Sequence, residues 1–174
     1  AGYQLWKSNG TTAGTTLVKI IASSNGRATE LTAVGNTLYF SAQNPSAGTS
    51  TGDELWASEG TDSSTWMVKD INSGTSSSSP KELEAVGNTL YFKANDGSNG
   101  DELWKSNGTE SGTMMVKDID GASSSSLGSY PDLTAVGNLL FFDADDGTGK
   151  GTELWKSDGT SVGTVMVKDI RLGS

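Results

Sequence analysis

Apolar residues fall in short bursts, each bounded by Gly, Asn, Asp, Ser or Thr. That is the pattern of a many-stranded β-protein, in which period-two strands are joined by tight turns. Residues 82–119 show it most clearly. Residues 82–86 (Glu-Leu-Glu-Ala-Val) predict a first strand and 89–94 (Thr-Leu-Tyr-Phe-Lys-Ala) a second. Between them Gly87-Asn88 supplies a dipeptide suited to the positive φ of a two-residue hairpin. An acidic, Gly-bearing loop over 95–101 leads to a third strand at 102–106 (Glu-Leu-Trp-Lys-Ser). Asn107-Gly108-Thr109 then opens the turn into a fourth strand at 113–119. Simple alternation on that fourth strand sends Met114 and Val116 to one face and Met115 and Ile119 to the other, so both faces are expected to be covered.

The unit recurs along the chain. Leu-Trp stands at 5–6, 55–56, 103–104 and 154–155, at intervals of 50, 48 and 51 residues. Ala-Val-Gly-Asn stands at 33–36, 85–88 and 135–138. Val-Lys-Asp-Ile stands at 68–71, 116–119 and 167–170, with a degraded copy in Val18-Lys19-Ile20-Ile21. From Trp to this Val is 12 residues in every copy, which predicts a hairpin of fixed register. The other gaps vary, as surface loops do.

Four antiparallel strands in a repeat of about 50 residues predict an all-β, β-propeller-like fold built of four-stranded blades. The single repeat domain, 1–174, is expected to divide into a half blade at 1–21 and blades at 22–71, 72–119 and 120–171, about three and a half blades. Closed propellers have roughly four to eight blades. Exposed edges are therefore expected unless other copies or neighbouring repeats cover them. Lys19, Lys69, Lys117 and Lys168 recur on strand four and read as charges protecting such an edge. The Ser tracts at 76–79 and 123–126 read as flexible connections.

Composition narrows the chemistry. The net charge of −9 disfavours both nucleic acid and anionic membrane surfaces as partners. With no Cys and no His, disulfides, thiolate zinc sites and a Ser-His-Asp triad are excluded within the chain. No stretch approaches the roughly 20 apolar residues that span a membrane, so no membrane insertion is expected. Carboxylate pairs can be drawn, but acidic residues recur in every repeat, which marks structure rather than a single active site. No catalytic residue is assigned, and no enzyme activity is expected.

Two sets of candidate binding residues remain. Trp6, Trp56, Trp104 and Trp155 could stack on sugar rings as a carbohydrate-binding set, against the simpler reading of packing between blades. Trp66 joins them as a singular aromatic, set against Leu17, Met115 and Met166 in the other copies. The loops before strand three gather oxygen ligands, Asn95, Asp96, Asn99 and Asp101 in one and Asp143, Asp145 and Asp146 in another. Calcium, which takes about six to eight oxygens, is the candidate cofactor there, against the simpler reading of solvated turns.

The octet at 153–160, Glu-Leu-Trp-Lys-Ser-Asp-Gly-Thr, resembles the defining motif of the bacterial ELWxxDGT repeat family. The copy at 102–109 matches with Asn107 for Asp, that at 54–61 has Glu59 there, and the first has Gln4 for Glu and Asn9 for Asp. The resemblance covers essentially the whole chain. It implies large secreted or surface-attached bacterial proteins with propeller-like repeats, and no defined activity. The expected function is a non-enzymatic extracellular scaffold for adhesion or assembly, through self-association or neighbouring repeats. A lectin-like, multivalent glycan binder is the alternative.

Overall fold

The computed structural model describes residues 3–22, 27–43 and 52–170, and among them it is all-β, with no helix. A two-stranded sheet comes first, β1 (Tyr3–Lys7) with β2 (Thr16–Ala22). Three four-stranded antiparallel sheets follow, each a meander with strands in chain order. The second sheet is β3 (Thr29–Val34), β4 (Thr37–Gln43), β5 (Asp53–Ser58) and β6 (Thr65–Lys69). The third is β7 (Lys81–Val86), β8 (Thr89–Asn95), β9 (Asp101–Ser106) and β10 (Met114–Lys117). The fourth is β11 (Thr134–Val136), β12 (Leu139–Asp145), β13 (Thr152–Ser157) and β14 (Val165–Lys168).

The turns are the ones the dipeptides demand. Gly35, Gly87 and Gly137 have φ of 60°, 59° and 62° between the first two strands of each sheet, and the Asn after each does not share the positive φ. Glycine at the first central position of a two-residue hairpin is the type II′ requirement.

The sheets stack face to face in chain order, with one apolar cluster in each gap. Leu5, Val18 and Ile21 of the first sheet meet Phe40, Ala42 and Trp56 of the second. Leu55, Val68 and Ile71 meet Leu90, Phe92 and Trp104. Leu103, Val116 and Ile119 meet Leu140, Phe142 and Trp155. Each sheet thus has a forward face, bearing Leu, Val and Ile, and a receiving face, bearing Leu, Phe, Ala and Trp. The inner sheets are apolar on both sides, so burial is nearly continuous along β4, β5 and β8.

Strand four does not alternate simply. Every third-to-fourth-strand ladder carries a register shift that leaves the Val of Val-Lys as an extra residue. Leu103 pairs with Lys117 and Trp104 with Met115, so Val116 has no opposite number. Val18, Val68 and Val167 are bulged in the same way. The bulge re-aims the side chains. Val116 and Ile119 share one cluster, Met115 packs into the other, and Met114 is exposed. Sending Met114 with Val116 to one covered face and Met115 with Ile119 to the other is thereby corrected.

Trp66 also needs realignment. It stands opposite Ala57, whereas its true counterparts Met114 and Val165 stand opposite Lys105 and Lys156. Met67, not Trp66, matches Leu17, Met115 and Met166. The second sheet has exchanged a lysine and a medium-sized residue for an alanine and a tryptophan, and the indole packs against the cluster that Ala57 enters.

Candidate functional site

Three polar devices recur at the junctions between sheets. In the first, the Lys of strand four crosses to the next sheet. Lys69 Nζ donates to the Thr113 carbonyl at 2.9 Å and lies 5.8 Å from the Trp104 ring centre. Lys117 Nζ donates to the Thr164 carbonyl at 2.9 Å and lies 5.5 Å from the Trp155 ring centre. Lys19 reaches Asp62 instead, at 2.7 Å. These lysines are ties between sheets, with hydrogen bonds and cation–π contact, rather than charges guarding a bare edge. Lys168, on the last sheet, is exposed.

The second device is a buried glutamate clamp. Glu54 and Glu102 are fully buried, one residue before each Leu-Trp. Glu54 accepts from Ile71 N–H (2.8 Å), Ser78 N–H (2.9 Å) and Ser78 Oγ–H (2.6 Å). Glu102 accepts from Ile119 N–H (3.1 Å), Ser126 N–H (3.0 Å) and Ser126 Oγ–H (2.5 Å). Glu153 accepts from Ile170 N–H at 2.8 Å. The Ser tracts are thus docked, not flexible: Ser78 and Ser126 are buried, and their carbonyls accept from Asn95 and Asp145 N–H of the next sheet. Burial pushes Glu54 and Glu102 up to about 7, against the hydrogen bonds that pull them down, and Asp70 and Asp120 add to the rise.

The third device is the Gly-Thr turn. Asn107 Oδ1 accepts from Thr109 N–H (3.1 Å) and Oγ1–H (2.7 Å), and Asn9 and Asp158 repeat the arrangement. In the three four-stranded sheets a buried hydroxyl pair lies behind the turn, Ser58 with Thr65, Ser106 with Thr113 and Ser157 with Thr164, all at 2.7 Å, and Ser8 with Thr15 forms the exposed counterpart at 2.8 Å.

The candidate binding residues separate on this frame. Trp56, Trp104 and Trp155 are buried between sheets, and Phe40 stacks on Trp56 with ring centres 6.4 Å apart. Their ring faces are taken up by packing. Trp66 is half-buried, and Trp6 is exposed, its Nε1–H donating to Gln4.

In the first acidic loop Asn95 Oδ1 accepts from Gly97 N–H and Asp96 Oδ1 from Ser98 and Asn99 N–H. Burial pushes Asp96 up, but the bonds from Asn99 and Ser98 outweigh it and hold the carboxyl below its usual range. Asn99 Nδ2–H donates to Asp96, and Asp101 pairs with the buried Lys93 at 3.1 Å. In the second loop Asp145 and Asp146 accept from Gly147 and Thr148 N–H, and burial raises Asp143. None of these seven residues joins the one acidic cluster among the described residues, Glu102 with Asp118 and Asp120, whose oxygens lie within 4.8 Å of one another. That cluster is already hydrogen-bonded internally, to Gly121 N–H through Asp118 and to Ala122 N–H and Ser124 Oγ–H through Asp120.

Sequence reasoning passed over the glutamate clamp. Its signal was nevertheless present, since Glu54 and Glu102 are each followed 24 residues later by a Ser.

The two ends of the stack expose what the interior buries. On the fourth sheet Leu154, Val167 and Ile170 occupy the positions of Leu103, Val116 and Ile119; Ile170 is 64% exposed against 8% for Ile119. On the first sheet Trp6 is 53% exposed against 4% for Trp56. Comparison with known protein families, with curated proteins and with solved structures finds no match.

Proposed function

We propose that this chain is a non-enzymatic scaffold of propeller-type blades that works by joining further blades of its own kind, at a cell surface or in an extracellular structure. The carrying observation is the complementarity of its ends. The fourth sheet presents a forward face of Val136, Leu154, Val167 and Ile170 with Lys168 free to cross, and the first presents the Trp6 and Leu17 of a receiving face. These are the residue types that meet at the three internal junctions. Contiguous exposed apolar positions of this sort mark interaction surfaces. A forward face meeting a receiving face is a heterologous contact, which propagates into a ring or an open fibre according to whether the rotation closes. The likeness of the repeats to ELWxxDGT proteins supports a secreted setting.

The test is native mass by light scattering across a concentration range. Assembly predicts a mass above that of one chain, rising with concentration, and reduced by Val167→Asp at one end or Trp6→Ser at the other. A single-chain mass at the highest concentration would overturn the reading.

A further inference from the structure

Among the described residues the first sheet has two strands where the other three have four. β1 corresponds to β5, β9 and β13, each paired on both sides, yet among the described residues β1 pairs only with β2. Beside its open edge lies a cavity of about 300 Å³ between the first and second sheets, lined by Leu5, Lys7, Val18, Ala33, Leu38 and Gly60. At the next two junctions a tyrosine fills the corresponding space. The Tyr39 hydroxyl lies against Gly108 and the Tyr91 hydroxyl against Gly159, the counterparts of Gly60. Lys7 does not preclude such a ring, since Lys105 and Tyr91 reach Gly159 side by side.

The exposure pattern outlines what fits. Leu31 is 55% exposed, whereas its counterparts Leu83 and Leu133 are each 8% exposed. Ala33 is exposed and Leu38 half-buried, although Ala85 and Ala135 are half-buried and Leu90 and Leu140 fully buried. Phe40 and Trp56, by contrast, are as buried as Phe92 and Trp104. The uncovered positions are those where first strands pack on one another, β3 on β7 and β7 on β11. Those strands also bond across the gap: Thr32 Oγ1–H to the Leu83 carbonyl, Glu82 N–H to Glu30, and Ala135 N–H to Glu84, each at 3.0 Å.

We propose that the open edge of β1 and its cavity bind a β-hairpin of the chain's own first-and-second-strand type. Its second strand adds antiparallel to β1 by β-augmentation. By the β8–β9 register, its Leu faces Ser8, its Tyr faces Lys7 and enters the cavity, and its Phe faces Trp6. A Glu at the Glu84 position meets Ala33 N–H, as Glu84 meets Ala135 N–H. This occupant differs from the end-to-end partner and stands on the junctions within the chain alone.

The probe is a fluorescent synthetic peptide with the sequence of residues 81–95, titrated into the full chain and read by anisotropy. Saturable binding of one peptide per chain is expected, on the order of micromolar because an isolated hairpin must order as it binds. Replacing Tyr91 or Glu84 by Ala in the peptide should weaken it about tenfold. Ala33→Trp in the chain, at an exposed position, should fill the cavity and abolish binding. Amide exchange should show new protection at β1 on peptide addition. No saturable binding, binding that survives Ala33→Trp, or protection at β6, β10 or β14 instead would each overturn the proposal. Light scattering decides the assembly reading separately, so either can fail while the other stands.

Discussion

Glu59 is the exception that explains the Gly-Thr turn. Where the other copies place Asn9, Asn107 or Asp158, a glycine follows five residues later, at Gly14, Gly112 or Gly163, and a Cβ there would collide with the Asx side chain. In the second sheet the pair is Glu59 and Ser64, and Ser64 Oγ takes over Thr61, accepting from its N–H at 3.2 Å. The two positions therefore change together. Gly112→Ser alone should destabilise the chain by about 1–3 kcal/mol. Adding Asn107→Glu should recover much of that, a coupling of roughly 0.5–3 kcal/mol in a double-mutant cycle by denaturant unfolding. Simple additivity would count against the exchange.

The glutamate clamp makes a pH prediction at the same scale. Glu54 and Glu102 are held up to about 7 in the folded chain, above the ordinary glutamate value of 4.5. The folded state then binds more protons between these values, so stability falls as the pH rises from about 4.5 through 7. Asp96 and Asp146 are shifted downward and contribute the opposite slope only at lower pH. Melting temperature should rise on acidification from pH 8 to 5, and Glu54→Gln with Glu102→Gln should flatten that slope. An unchanged slope in the double variant would remove the glutamates as its source.

At the scale of elements, the bulge and the lysine act as one device. The extra Val shifts the register so that Lys69 and Lys117 leave their own sheet and reach the next. The internal control is Lys168, on the last sheet, where no further sheet follows among the described residues. Lys117→Met should cost about 1–2 kcal/mol, from a lost hydrogen bond and a lost cation–π contact, while Lys168→Met should leave single-chain stability within about 0.5 kcal/mol. Equal losses in denaturant titrations would show that the lysines act within their own strands. First strands carry a second irregularity: Glu30, Glu82 and Asp132 all have positive φ, between 47° and 58°, immediately before Leu31, Leu83 and Leu133. Side chains are strained in that region, and it recurs at the same position in all three four-stranded sheets.

At the scale of the molecule, the stack has graded stability. Each sheet contacts its neighbours in sequence, as in quasi-one-dimensional repeat proteins. β8 and β9 are inner strands of a sheet covered on both faces, whereas β1 and β2 form a two-stranded sheet covered on one. Two-stranded sheets are marginal alone, so amide exchange should be fastest in β1 and β2 and slowest in β8 and β9. Uniform protection would mean that the chain opens only as a whole.

Strand positions, the Gly-Asn hairpins, the repeat period and the four-stranded unit were legible in the amino-acid order. They depend on residues close together along the chain: period-two apolar runs, a glycine where φ must be positive, and a constant 12-residue step from Trp to Val. What lies between sheets was not legible. A lysine on an edge strand reads as edge protection until the next sheet is in place to receive it, and a Ser tract reads as a loose connection until a buried glutamate 24 residues earlier is brought against it. The same holds for the tryptophans, identical in local sequence yet buried at 56, 104 and 155 and open at 6. Burial and cross-sheet bonding belong to the stacking of faces, so only the tertiary structure separates a packed ring from an exposed one and a covered sheet from an open edge.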